Sequence, residues 1–243
     1  MEILAIIPAK GDSKRVPRKN LRMMLDKPLV AWAIEAAKNS SKIQRVIVST
    51  PDEEIARVAK EYGAEVPFLE PGDIAAGGGD IEGALVHAVE WLKKNEGYVP
   101  DAVVLLQTTN PLRRSVDLDE AIEQFERSGA DSTITVCEAL GNHNPSWMLI
   151  RDAERGARMF NGADIRTISS TRSQDLPKCF FRNDIAYVFK TSNLYQTPSN
   201  HYGDRVDLYA MDEIFDTDIN TQEDWNITED KLRRLLAVKK ASA

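Results

Sequence analysis

Short apolar runs alternate along this chain with longer stretches of helical periodicity, and that alternation restricts the fold more than any other feature of the sequence. Residues 3–8, 46–50, 102–107, 132–137, 185–189 and 206–211 read as strands, the third of them apolar enough to be buried on both faces. Between them, residues 29–40, 53–62, 81–94 and 118–127 space their apolar side chains three and four apart, as a helix with one buried face does. Strands separated by helices need crossover connections, so the expected fold is a mostly parallel, doubly wound sheet: a three-layer, Rossmann-like α/β sandwich. Helix starts are marked as well. Thr50-Pro51-Asp52-Glu53 has capping-box spacing with Pro at the first turn, and Thr221 with Asp224 opens a last helix that ends in the basic stretch 231–240. Residues from about 138 to 184 break the alternation and are rich in Asn, Arg, Asp and Gly. They read as an arm inserted into a single domain spanning 1–243.

Composition narrows the classes of function. At 42% hydrophobic and 28% charged, the 243 residues suit one sizeable globular core. No run approaches the roughly 18 apolar residues that span a bilayer. The opening residues lack the basic region of a signal peptide and read as the first strand, so a cytoplasmic, membrane-free protein is expected. Cys137 and Cys179 stand far apart in no CxxC arrangement, which speaks against a disulfide scaffold or zinc site and fits a reducing compartment. A net charge of −7 with no basic domain disfavours nucleic acid as a partner. Against that acidic background, five cations crowd one segment: Lys10, Lys14, Arg15, Arg18 and Lys19.

That segment, Pro8-Ala9-Lys10-Gly11-Asp12-Ser13-Lys14-Arg15-Val16-Pro17-Arg18-Lys19-Asn20, leaves the carboxyl end of the first strand, where open α/β sheets bind ligands. It contains neither GxGxxG nor GxxxxGK[ST], which disfavours a dinucleotide fold and a P-loop. Instead it offers backbone N–H groups and several cations, a set suited to a triphosphate whose phosphorus is attacked. Pro17 restricts the loop and lowers the entropy lost on ordering it. Further along, Gly77-Gly78-Gly79-Asp80 precedes a helix start, so Gly79 and Asp80 are candidates to approach an anion or base. Gln107-Thr108-Thr109-Asn110-Pro111-Leu112-Arg113 closes the buried strand, and Gln107 can read a base edge or ribose hydroxyl. In Asp216-Thr217-Asp218-Ile219-Asn220, alternate residues of an extended chain project alike. Asp216, Asp218 and Asn220 are therefore expected to offer three hard oxygens to Mg²⁺. His87, His143 and His201 share no spacing that suggests a metal site or triad.

The run Ile-Ile-Pro-Ala-Lys-Gly-Asp-Ser-Lys-Arg-Val-Pro-Arg-Lys-Asn, from Ile6 to Asn20, resembles the N-terminal signature of the acylneuraminate cytidylyltransferases, the CMP-sialic acid synthetase family, roughly IPARxGSKxxPxKN. The likeness continues through Val48-Ser49-Thr50, Leu105 to Arg113 and the acidic segment near Asp218. It implies a CTP-dependent transfer to an acidic nonulosonic or octulosonic sugar. The sugar's anomeric hydroxyl attacks the α-phosphorus, and pyrophosphate leaves toward the first loop. By the same resemblance Lys10, Lys14, Arg15, Lys19 and Asn20 handle triphosphate and ribose, and Gln107 the nucleotide. Asp218 and Asn220 fall on the two metal carboxylates of a pattern like IDIDTxxD, with Asp216 as a substitute ligand. Arg172, Arg182, Asn183 and Tyr187 fall in the acidic-sugar segments, Lys10, Lys19, Arg172 and Asp218 carry the chemistry, and the arm implies a homodimer. The general base is left unassigned. Departures from the family pattern stand out: Lys10 replaces an Arg, Glu70 an Arg, Asn220 an Asp and Asp184 a Gly, one Asp of a segment like RPxxLAxDxS is missing, and a Lys is absent near Trp147. Two rivals remain: a glycosyltransferase using Asp216-Thr217-Asp218 as a DxD motif, and a non-catalytic nucleotide- or sugar-binding homologue.

Overall fold

In a computed structural model, which describes the chain except residues 12, 14, 73, 75–80, 154, 155, 171, 242 and 243, the apolar runs build one six-stranded sheet. The strands are β1 (Ile3–Pro8), the short β2 (Met23–Met24) and β3 (Lys27–Pro28) of a separate two-stranded ribbon, β4 (Arg45–Ser49), β5 (Ala102–Leu105), β6 (Ser132–Glu138), β7 (Leu149–Asp152), β8 (Gly156–Met159), β9 (Phe180–Lys190) and β10 (Val206–Met211). In the main sheet the order is β10-β6-β9-β5-β1-β4. Five of these strands run one way; β9 alone is antiparallel to both its neighbours.

Strand alternation sorts the core into two halves. Ile3, Ala5 and Ile7 of β1 pack with α1 (Leu29–Lys38), α2 (Glu53–Glu61), α4 (Ser115–Ser128) and α5 (Gln222–Ala241). Leu4 and Ile6, pointing to the opposite face, pack on Leu85, Ala88, Val89 and Leu92 of α3 (Ile81–Glu96). The expected three layers are thus present. No helix among the described residues is long and apolar enough to cross a membrane.

Two local expectations are corrected. Thr50 does not cap α2; Asp52 does, its side chain accepting from the amides of Glu54 and Ile55 (both 3.0 Å), while Thr50 Oγ1 accepts from Asp52 N–H (3.1 Å). The helix begins two residues later because the carboxylate satisfies two of its first amides at once. The segment that leaves the sheet is residues 139–179, carrying the β7–β8 ribbon, so both ends of the span 138–184 belong to the sheet. Polar Arg182, Asn183 and Asp184 hide the first half of β9, where Val136, Cys137 and Glu138 pair with Arg182, Phe181 and Phe180. At Thr221 the capping box forms as read: Asp224 N–H donates to Thr221 Oγ1 (3.1 Å) and Thr221 N–H to Asp224 Oδ2 (2.7 Å).

Candidate active site

β1 delivers the basic loop to the carboxyl edge of the sheet, where Ala9 N–H donates to Ser49 O at the end of β4 (2.9 Å). Asn20 locks that loop. Only 4% exposed, it donates from Nδ2 to Lys10 O (2.8 Å) and accepts at Oδ1 from the Thr108 hydroxyl (2.7 Å), tying the loop's two ends to the end of β5. Gly11 is needed at its position, since a Cβ there would stand 2.1 Å from Asp52 Oδ2. Arg18 departs from the cationic group: at φ 53° its guanidinium turns to Asp52 (2.7 Å) and Glu54 at the start of α2.

Lys19 points toward the chain's far end. Its Nζ donates to Ile219 O (2.7 Å), and Ile219 N–H in turn donates to Thr109 O (3.2 Å). The fully buried Ile219 therefore joins the basic loop, the end of β5 and the acidic segment at one point. Burial lowers the Lys19 amine, the Asp218 charge opposes that shift and Arg15 adds to it. Beside Lys19, Asn220 Nδ2 donates to Asp218 Oδ2 (2.5 Å), so these two side chains share one spot. A cavity of about 210 Å³ opens between Lys10, Ser13, Lys19, Asn20, Gln107 and Thr108, with Ile81 and Ala84 of α3 opposite. A larger cavity, about 720 Å³, lies among α1, α4 and α5, and none of the residues named for nucleotide, sugar or metal lines it.

Asp216 and Asp218 act on different titratable neighbours. Asp216 follows the turn Glu213–Phe215 and the buried Phe215, and its charge falls on Cys137, whose thiol is pushed up by burial first and by Asp216 in addition. Beyond that turn the expected alternation holds: Asp216, Asp218 and Asn220 are exposed while Ile219 between them is buried. Lys14, Gly79 and Asp80 lie outside the described residues, and Arg15 is exposed beside the loop.

On the sugar side, the structure brings Arg182 and Tyr187 to the same edge and turns Asn183 away. Asn183 is buried, donating to Cys137 Sγ (3.5 Å) and Met211 Sδ (3.4 Å) and accepting from Ile185 N–H (3.2 Å), so its amide is spent inside the fold. Arg182 Nη1 donates to the Tyr202 hydroxyl (2.7 Å), and the Tyr187 hydroxyl donates to Asp184 Oδ1. Burial raises the Asp184 carboxyl, the Tyr187 bond opposes this, and Asp218's charge adds to it. Arg172 is exposed on segment 139–179, and among the described residues its guanidinium has no partner.

Two supporting residues carry no periodic signal and are seen only in three dimensions. Arg113, 5% exposed, donates from Nε to Ile185 O (2.9 Å) and from Nη2 to Gln107 O (2.5 Å) and Asp184 O (2.9 Å). Asn110, fully buried, donates to Asn183 O (2.6 Å) and Phe215 O (2.9 Å) and accepts from Leu112 N–H (3.0 Å). Asn110→Ala would strand two buried carbonyls and an amide. We expect a loss of about 2–3 kcal/mol, or roughly 5–10 °C in the thermal midpoint. A midpoint unchanged within a degree would show that those groups find other partners.

A family model described as Cytidylyltransferase matches residues 4–240. The chain is 34% identical over 233 residues to the post-translational flagellin modification protein B of Campylobacter coli, covering 94% of each. It is 30% identical over 233 residues to the CMP-N,N'-diacetyllegionaminic acid synthase of Legionella pneumophila, covering 94% of this chain and 95% of that protein. Among solved structures, a CMP:2-keto-3-deoxy-manno-octonic acid synthetase complexed with CTP superposes with a TM-score of 0.65. It covers 98% of this chain and 100% of that one at 16% identity, a likeness of fold.

Proposed function

The chain belongs to the cytidylyltransferase family, and from that premise we propose that it couples CTP to an acidic 2-keto sugar and releases pyrophosphate. The observation that carries this reading is the junction at Ile219, which sets Lys19 of the basic loop against the segment of Asp218. The anomeric hydroxyl of a nonulosonic or octulosonic acid attacks the α-phosphorus; a new O–P bond forms as the bond to the bridging oxygen breaks. Lys10 and Lys19, which line one cavity, would stabilise the charge that gathers on the leaving pyrophosphate. Gln107, Asn20 and Thr108 line the pocket that receives the nucleoside.

The carboxylate of Asp218, with the amide of Asn220 against it, would suit Mg²⁺, a hard cation that takes one or two carboxylates and fills its shell with phosphate oxygens and water. When bound, Mg²⁺ would offset phosphate charge and polarise the α-phosphoryl group. The exposed, unpartnered Arg172 is consistent with an arm that completes the sugar site of a second subunit in a homodimer.

Pyrophosphate release with CTP, Mg²⁺ and a panel of nonulosonic and octulosonic acids tests the reading; silence across every sugar and nucleotide overturns it. In the same assay Arg172→Ala is expected to raise the sugar KM about tenfold or more, as the loss of a charged hydrogen bond does, with the CTP KM unchanged. Equal loss of nucleotide affinity would move Arg172 out of the sugar site.

A further inference from the structure

β9 is not a regular strand. Between the pairs Ile134↔Tyr187 and Val136↔Arg182, β6 advances two residues while β9 advances five, so a bulge forms around Asn183 and Asp184. Bulges re-aim side chains at sheet edges and beside active sites. Here the Asn183 side chain goes into the core, and Asp184 takes φ 57°, a conformation that aspartate adopts at a cost. Its carboxylate meets the hydroxyl of Tyr187, whose ring packs on the α3 side of the sheet, the side from which Ile81 and Ala84 enter the nucleotide cavity.

Asp184 is also rigidly placed relative to the nucleotide strand. The same nitrogen of Arg113 holds Asp184 O and Gln107 O, and Asn110 holds the neighbouring Asn183 O. Oδ1 is engaged by Tyr187, while Oδ2 has no hydrogen-bond partner among the described residues. Close by, the guanidinium of Arg182 spends one nitrogen on Tyr202 and keeps its other donors. An open acceptor and a partly open cation thus stand together, a pair that suits one ligand carrying both a carboxylate and hydrogen-bond donors. A half-buried carboxylate at positive φ, near a second carboxylate, disfavours the folded state on each count. Local costs of this kind concentrate where a ligand is bound.

We infer that Asp184 is a specificity-determining contact for the acceptor sugar, its Oδ2 accepting a hydrogen bond from a hydroxyl or amide N–H on the part of the sugar remote from the carboxylate that Arg182 takes. This rests on the cytidylyltransferase reading above and adds to it the polarity of one wall of the acceptor site: acceptor-only, and therefore selective for a donor on the sugar.

Asp184→Gly tests this, because glycine takes φ 57° without strain; it removes the carboxylate and with it the partner of the Tyr187 hydroxyl, a partner that the amide oxygen of Asp184→Asn retains. Asp184→Asn keeps size and tolerance of that φ but exchanges half the acceptor for a donor. The readouts are sugar KM, CTP KM, kcat and the Mg²⁺ concentration for half-activity, with N-acetylneuraminate, 3-deoxy-octulosonate and 5,7-diacetamido nonulosonates as probes, and calorimetric binding of the same sugars with a non-reactive CTP analogue. For the sugar that the wild type prefers, Asp184→Gly should raise KM or Kd about 10–100-fold, the size of a lost hydrogen bond to a charged group. CTP KM and Mg²⁺ dependence should stay within about twofold, and preference among the sugars should narrow. An unchanged sugar KM and Kd overturns the inference. So does a parallel rise in the Mg²⁺ requirement, which would make Asp184 a metal ligand, or an equal loss for sugar and CTP, which would make it a structural residue. A wild-type protein that neither binds nor turns over any acidic sugar sinks the underlying reading together with this one, an outcome distinct from wild-type turnover with an indifferent glycine variant.

Discussion

Asp218→Ala should abolish pyrophosphate release, lowering kcat/KM on the order of 10³-fold or more, with the thermal midpoint almost unmoved. Asp218 is exposed, and among the described residues its carboxylate accepts a hydrogen bond from Asn220 alone, so the fold loses little when it goes. The catalytic loss is larger for two reasons that act together. The carboxylate is the charged member of the oxygen pair proposed to hold Mg²⁺, and Asn220, being neutral, cannot replace it alone. It is also the anion that opposes the effect of burial on Lys19. The measurement is single-turnover pyrophosphate release over a Mg²⁺ titration, beside a melting curve. Partial recovery at high Mg²⁺ would fit a weakened site; undiminished turnover at ordinary Mg²⁺ would remove Asp218 from the metal altogether. Asn220→Asp, which restores a second charge at that spot, should lower the Mg²⁺ needed.

Lys19→Met should cost about 10²-fold in kcat/KM, near 2.7 kcal/mol of transition-state stabilisation. Methionine keeps the stem and its packing, so stability should fall only by the bond to Ile219 O, about 1 kcal/mol. Because Lys19 and Asp218 are both assigned to one triphosphate, and because each alters the other's charge environment, their effects should not add. The double variant should be little slower than Asp218→Ala alone. Strict additivity would mean that the two act on separate steps. A stability loss above about 3 kcal/mol would show Lys19 to be chiefly a structural clasp.

Much of the architecture is legible in the residues because it follows from local geometry. Ile3 to Pro8 alternates faces whatever surrounds it, and the structure divides those residues between two cores as alternation requires. The placement of a cationic loop directly after β1 is likewise a matter of adjacency in the chain. The parts that were not legible depend on long-range partners. Asp216 and Asp218 are alternate, exposed residues of one extended segment, yet the charge of Asp216 acts on Cys137 and that of Asp218 on Lys19. Asn183 reads as a polar site residue, but Cys137 and Met211 draw it inward. Nothing in the sequence around Arg113 announces that one guanidinium will hold three carbonyls from two strands' ends.

The sequence by itself determined that this chain would form a β–α alternating sheet, that its first strand would present cations at the carboxyl edge, and that it resembles the cytidylyltransferases. Those properties are encoded in side-chain period and in neighbours along the backbone. Only the tertiary structure decided that β9 runs against the other strands, that Asp184 sits at a bulge with positive φ, and that Lys19 meets Ile219 across 200 residues of chain. Hydrogen bonds between segments so distant form only once the sheet has fixed its strand order, and no local period carries that information.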